Sequence, residues 1–266
     1  MNLGVSVLSD IGVGTARGGR ERNEDSYLVC HDGRVRWLAD GIEHEEEREG
    51  EGLLVAVFDG MGGHADGHVA SATAARVLSK LYQPGTIPER PARVLSKYVQ
   101  DAHRQLHTIA AARGQVRMGT TLTAAWLIDR RAAWVHVGDS RLYLMRDGKL
   151  TRMTTDQTRN EFARRDSRTP TSDGDRLAQN FIYGSRGLGE NARLRLDWGV
   201  DSGQLDVLPG DRLLLCTDGI TSALDDPTIE TTLRAVGGDA APLALKDRAV
   251  ERDGRDNITA LVLSYG

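Results

Sequence analysis

The chain of 266 residues predicts an α+β fold in which helices cover antiparallel sheets, and three observations carry that expectation. Short apolar runs, LLVAVF, AAWVHV, RLLLC and ITALVL, recur between polar or glycine-containing turns, as strands do. Two other segments show the 3.6-residue period of amphipathic helices. The order runs strands, two helices, more strands, then helices again, rather than the strict alternation that builds a parallel sheet.

Taken in order, residues 41–52 (GIEHEEEREGEG) form a glutamate run between glycines and are expected to be a solvated loop. Residues 68–81 place Ala70, Ala74, Val77, Leu78 and Leu81 on one helical stripe. Residues 91–112 place Leu95, Val99, Ala102, Leu106, Ile109 and Ala110 likewise, opening at Pro91 and stopping at Gly114. Both apolar faces are wide enough to pack on a sheet. The stretch TTLTAAWLIDRRAAWVHVGDSRLYLMRDGKLTRM predicts three or four antiparallel strands, with Asp147-Gly148 as a hairpin turn. Residues 159–180, rich in Arg, Asp, Ser and Thr and without period, read as a mobile, flap-like segment. A helix from about Pro227 to Val236, another from Pro242 and a last strand, NITALVLSY, complete the chain. No repeat or linker interrupts it, so residues 1–266 are expected to be a single domain.

Composition excludes several function classes. Hydrophobic residues at 39% and charged residues at 27% argue against disorder. A net charge of −4 offers no electrostatic case for binding nucleic acid or an anionic membrane. No apolar run reaches the ~20 residues of a membrane span, and MNLGVSVLSDIGVG lacks the basic and apolar blocks of a secretory signal. Cys30 and Cys216 each end an apolar run with no zinc or redox spacing. They are expected to be buried free thiols of a cytoplasmic protein.

The chemistry lies in aspartates at strand ends. Asp59 follows LLVAVF, Asp139 follows AAWVHVG, Asp218 follows RLLLCT and Asp256 precedes NITALVLSY, each beside glycine or asparagine. One such aspartate is a turn former. Four at the ends of core strands bring negative charges together where desolvation makes unpaired charge costly. A hard divalent cation relieves that cost, and oxygen donors without Cys or His favour Mg²⁺ or Mn²⁺ over zinc. The glycines let a backbone carbonyl approach such an ion. RERNEDSY adds adjacent acids, Glu24 and Asp25, and Arg20, whose fork matches phosphate oxygens when it is not a surface ion pair.

Seven segments in order, RERNEDSY, VFDGMGGHADG, MGTTLTAAW, VHVGDSRLYLMRDGKL, TTDQT, LLCTDGI and GRDNITALVL, span residues 20 to 263. Together they resemble the metal-dependent type 2C protein serine/threonine phosphatases, bacterial members above all. The resemblance implies a four-layer α-β-β-α sandwich and hydrolysis of phosphoserine and phosphothreonine by water activated between two Mn²⁺ or Mg²⁺ ions, without a phosphoenzyme. By position, Asp59 resembles the carboxylate that bridges both ions, and Gly60 lends its carbonyl. Asp218 and Asp256 resemble ligands of one ion. Glu24 would hold the other, partly through water, with Asp25 beside it, and Arg20 resembles the phosphate clamp. Phosphorylated proteins, products of a serine/threonine kinase, are the implied partners, and a monomer is expected.

The departures are specific. Met61 stands where eukaryotic members carry a histidine proposed as general acid, and His64 does not inherit that role by proximity. Gln157 replaces a histidine of many relatives. Ser222 replaces the acid that, with the aspartate matching Asp139, binds a third, weaker ion, so that ion is expected to be weak or absent. The pairs His64/His68 and His103/His107 have zinc-like spacing, but Ala65 and Arg104 stand where a metalloprotease needs glutamate. They read as coincidences on polar helix faces. Two rival readings remain. VFDG hints at a haloacid dehalogenase-type phosphatase, but Met61 sits where that fold needs its second acid. A catalytically weak or dead phosphoprotein-binding module would have lost Asp59, Asp218 or Asp256, and all three are present.

Overall fold

A strand written as an unbroken apolar run must be covered on both faces, and Leu53–Phe58 shows how. Leu54, Ala56 and Phe58 point into one hydrophobic cluster, whereas Leu53, Val55 and Val57 point into another. The same parity governs Ile258–Tyr265. Leu261, Leu263 and Tyr265 share the second cluster, and Ile258, Ala260 and Val262 enter a third. Three apolar layers therefore separate four layers of secondary structure.

The computed structural model describes residues 3–61, 66–85, 87–114, 118–171, 182–184 and 200–266. In chain order, β1 (Leu3–Asp10), β2 (Ser26–His31), β3 (Arg34–Ala39), β4 (Ile42–Glu47), β5 (Leu53–Phe58) and β6 (Gly60–Met61) come first. Helices α1 (Gly67–Ser79) and α2 (Pro91–Ala112) follow. Next come β7 (Met118–Thr120), β8 (Leu122–Ile128), β9 (Arg131–Val137), β10 (Arg141–Arg146) and β11 (Lys149–Arg152). The remainder is α3 (Arg159–Arg165), β12 (Ile182–Gly184), β13 (Asp201–Asp206), β14 (Arg212–Cys216), α4 (Asp218–Thr221), α5 (Asp226–Ala235), α6 (Ala241–Arg252) and β15 (Ile258–Tyr265).

A seven-stranded sheet runs β13-β9-β8-β5-β2-β3-β4 and a five-stranded sheet runs β1-β15-β14-β10-β11, with a small third sheet β12-β7-β6. Every pairing is antiparallel, β5 with β8 being one example. The two large sheets meet through Val55, Val57, Leu142, Leu215 and Leu261. Helices α1 and α2 cover the outer face of the larger sheet with Ala74, Leu78, Leu95, Val99 and Leu106. Helices α4, α5 and α6 cover the smaller one with Ile220, Ile229, Leu233, Leu245 and Ala249. This is the expected α-β-β-α sandwich.

The chain crosses from one large sheet to the other after β1 and again after β9. The first crossing carries Arg20, Glu24 and Asp25, and the second carries Gly138 and Asp139. Antiparallel pairing brings the ends of β5, β9 and β14 and the starts of β2 and β15 to the same edge, so the sandwich topology itself gathers the acids.

Several expectations change. The glutamate run is not a loop: residues 42–47 are β4, at the edge of the larger sheet and paired with β3. Its exposed charges hid it, because an edge strand has no apolar face to announce it and charge there discourages further pairing. The turn Asp40-Gly41, with φ of 53° and 71°, was its signal. Asp147 and Gly148 have the same left-handed pair of angles, 51° and 74°, and make the predicted hairpin. The 159–180 segment opens as a helix, α3, with an Arg164–Glu161 ion pair. Its residues 172–180 lie outside the described residues. His103 is buried at 1% exposure, edge-on to His107 at 4.7 Å, rather than on a polar face; His64 lies outside the described residues. Cys30 and Cys216 are buried free thiols, as expected.

Candidate metal centre

Each acid owes its place to a strand end. Asp59 follows β5; its backbone N–H donates to Thr121 Oγ1 at 2.9 Å, and its carbonyl accepts from Thr121 N at 2.9 Å. That double link fixes Asp59 against the start of β8. Gly60 packs between backbones. A Cβ there would lie 2.3 Å from Glu24 O and 2.4 Å from Gly67 O. Glu24 N donates to Asn257 Oδ1 at 2.8 Å, and Asn257 Nδ2 donates to Arg22 O at 3.0 Å, so one amide side chain ties the first crossing to the start of β15. Gly219 allows α4 to start tightly against the same residue, since a Cβ there would lie 2.0 Å from Asn257 O.

Asp25 sits beneath this layer, at 3% exposure. Its Oδ2 accepts from Thr217 Oγ1 at 2.8 Å and Thr259 Oγ1 at 2.7 Å. Burial nevertheless pushes its carboxyl up to about 7. Asp139 is likewise raised to about 7, by burial first and then by the charges of Asp218 and Asp156. Asp59 is held well above the ordinary carboxylate range by burial and by Asp218, Asp25 and Asp139, and Asp218 is raised by burial and by Asp256. Asp59 and Asp218 each act on the other's titration, with opposite sign: Asp218 raises Asp59, and Asp59 lowers Asp218. Acids coupled in this way form a single cluster, and a cation among them removes both the repulsion and the desolvation cost.

Arg20 closes the cluster at its mouth. Its Nε donates to Asp256 Oδ1 at 2.7 Å and its Nη2 to Asp256 Oδ2 at 2.8 Å. Among the described residues, no three His, Cys, Asp or Glu side chains stand as a finished ligand set. The donors nonetheless suit a hard divalent ion: carboxylates, a backbone carbonyl that a glycine leaves open, and no nitrogen or sulfur.

On the far side of Asp218 opens a cleft of about 320 Å³ lined by Asp139, Asp156, Glu161, Asp218 and Ser222, with Arg141, Arg152 and Arg164 among its walls. Ser222 and Asp139 thus line the same space. Asp156 is bound by Arg141 at 2.7 Å and Arg152 at 2.8 Å. Gln157 clasps the second crossing from both sides. Its N donates to Gly138 O at 2.7 Å, and its Oε1 accepts from Gly138 N at 2.7 Å.

Sequence reasoning did not single out Thr121, Thr217, Thr259, Asn257 or Asp156. A signal existed for two of them: Thr259 interrupts the apolar ITALVL and Thr217 follows RLLLC, each a polar residue at 0% exposure.

Two face-to-face antiparallel sheets, sheathed in helices and gathering oxygen donors at one shared edge, define the structural class. Residues 19–246 match the family model for protein phosphatase 2C, and the chain belongs to that family. It is 32% identical over 214 residues to the serine/threonine protein phosphatase PstP of Mycobacterium tuberculosis, covering 79% of this chain. The chain spans only 40% of the length of that relative. Protein phosphatase PhpP of Streptococcus pneumoniae is 29% identical over 234 residues, 85% of this chain and 90% of its own. A crystal structure of M. tuberculosis PstP superposes with a TM-score of 0.77 at 27% identity, covering 99% of this chain and 98% of that one. The PstP catalytic domain in complex with two manganese ions gives 0.73 at 28% identity, covering 98% and 97%.

Proposed function

We propose that this chain is the catalytic domain of a metal-dependent protein serine/threonine phosphatase, hydrolysing phosphoserine and phosphothreonine with two Mn²⁺ or Mg²⁺ ions. The observation that carries the reading is the convergence of Asp59, Asp218, Asp256 and Glu24 at one sheet edge of a type 2C fold. When bound, the ions supply an activated water and charge stabilisation at phosphorus. Asp59 would lie between them, Gly60 would offer its carbonyl, Glu24 would serve one ion, and Asp218 and Asp256 the other. Asp25, held by two threonine hydroxyls, fits a role in orienting water beneath the ions rather than direct ligation, since one of its oxygens is already engaged. Arg20 would grip two phosphate oxygens with its planar fork. Ser222 leaves Asp139 without its matching acid, which favours a weak or empty third position.

The cysteines offer no covalent route. Burial pushes the Cys216 thiol up to about 12 and raises Cys30 as well, so neither supplies a thiolate near neutral pH. Substrates would be proteins phosphorylated by a serine/threonine kinase, and buried free thiols suit the cytoplasm. Among the described residues, no helix is long and apolar enough to cross a membrane. The presence of every expected ligand carboxylate weighs against the binding-only alternative. The test is release of phosphate from a phosphothreonine peptide with and without Mn²⁺, followed by a chelator. Release is expected only with metal, and metal-independent release would refute the reading.

A further inference from the structure

Arg20 and Asp256 hold each other edge to edge. Two parallel N–H···O bonds, 2.7 and 2.8 Å long, occupy both carboxylate oxygens, and Asp256 Oδ1 also accepts from Asn257 N at 2.9 Å. The pair lies at the solvent mouth of the cluster, with side-chain exposures of 55% and 37%. The arginine is within Coulombic reach of Asp59 and Asp218 as well. The residue before it is tied down: Gly19 N donates to Gly14 O at 2.8 Å, and a Cβ on Gly19 would lie 2.9 Å from that same oxygen.

This inference rests on the proposed function, under which Asp256 holds an ion and Arg20 holds phosphate. The pair competes with both jobs. Asp256 Oδ1 accepts twice and Oδ2 once, so three of the carboxylate's roughly four lone pairs are taken, and the Nε/Nη2 edge of Arg20 is closed to phosphate. We propose that the Arg20–Asp256 pair is a metal-operated latch: an ion arriving at Asp256 displaces the guanidinium, and only then is the Nε/Nη2 edge of Arg20 free to clamp the substrate phosphate with two parallel bonds. The exposed position keeps the latch weak, because solvent screens the pair, so it can be opened by an ion yet closes when the site is bare. Binding order follows, with metal before phosphate. By linkage, phosphate must in turn raise metal affinity, and part of that coupling runs through Arg20.

The test titrates the metal-stripped protein with Mn²⁺ alone, by calorimetry, in Arg20→Lys and Arg20→Ala. Lysine keeps the charge and loses the fork, so it separates the latch from simple repulsion between arginine and ion. Both variants should bind Mn²⁺ more tightly than the natural protein, by about two- to fivefold, the scale of an exposed ion pair. In the ¹⁵N-labelled protein, the Arg20 Nε–H should lose protection from exchange on adding Mg²⁺ and regain it on adding inorganic phosphate. Tighter binding by Arg20→Ala alone, or an Nε–H indifferent to Mg²⁺, overturns the latch and leaves the two-ion reading standing. Unchanged Mn²⁺ affinity in Asp256→Asn overturns that reading, and the latch with it.

Discussion

Gly60→Ala tests the geometry of the centre without removing any of its charge. The added methyl would lie 2.3 Å from Glu24 O, 2.4 Å from Gly67 O and 2.7 Å from Gly67 C, all backbone atoms of two different segments. No rotamer change relieves such contacts, and reaching ordinary separation requires about 1 Å of movement on each side. The segments cannot yield freely. Gly60 pairs with Thr120 in the small sheet, and Glu24 O accepts from Ser71 Oγ at 2.6 Å. Overpacking of this kind costs about 1–3 kcal/mol, roughly 2–10 °C in melting temperature for a chain of this size. The catalytic effect should be larger, because the displaced atoms adjoin Asp59 and Glu24 and a 1 Å misplacement can cost about 100-fold in rate.

Thermal unfolding of the metal-stripped protein and turnover of a phosphothreonine peptide at saturating Mn²⁺ measure the two effects. Gly4→Ala is the control, since its methyl would meet nothing nearer than 3.9 Å, and it should change both by little. A Gly60→Ala protein that melts and turns over like the control would refute the claim that glycine is needed here for close backbone approach.

Three further outcomes are expected. Asp59→Asn should lower turnover by several orders of magnitude with the fold retained by circular dichroism, and near-normal turnover at saturating metal would remove Asp59 from the centre. Ser222→Asp should add a tighter step to the Mn²⁺ titration and one ion to a crystal grown in millimolar Mn²⁺; no change in either would show that this position does not match the family's third-ion acid. His136 is lowered by burial to about 4 from an ordinary value near 6.5, so the folded state binds fewer protons than the unfolded one between those values, and its contribution is present above pH 6.5 and lost as pH falls through 4. Stability of the natural protein relative to His136→Gln should therefore decline by up to about 3 kcal/mol across that window, measured by urea unfolding, and a pH-independent difference would contradict it.

Much of the fold was legible because its strands announce both coverings at once. Leu53–Phe58 and Ile258–Tyr265 are apolar on both faces because both faces are covered, and the stripes of α1 and α2 say that those helices are the cover on one side. What was not legible is whatever depends on pairing between distant segments. Thr217 and Thr259 are 42 residues apart and become a joint anchor for Asp25 only when β14 lies beside β15. Asn257 reads as a turn residue until the first crossing arrives against it and shares its side-chain hydrogen bonds. Arg20 was legible as a cation for phosphate or for a surface pair, yet nothing local says that its partner is Asp256, 236 positions away.

The contrast between two groups of acids shows why position outweighs composition. The glutamates of β4 are dense in sequence, but they stand on an exposed edge where water and Arg34 offset them, the latter at 3.3 Å from Glu45. Their density reports only that an edge must stay soluble. The acids of the centre are sparse, with long stretches of loop, strand and helix separating Asp25, Asp59, Asp139 and Asp218, yet each lies where an apolar strand begins or ends. An apolar strand carries its terminal residue into the sandwich edge whether or not that residue is charged, so an aspartate there meets other strand ends at a cost in desolvation. Burial is the first cause of the raised Asp25, Asp59, Asp139 and Asp218. A fold that assembles four such groups without a cation sacrifices stability, and that cost has an explanation in a centre that binds cations.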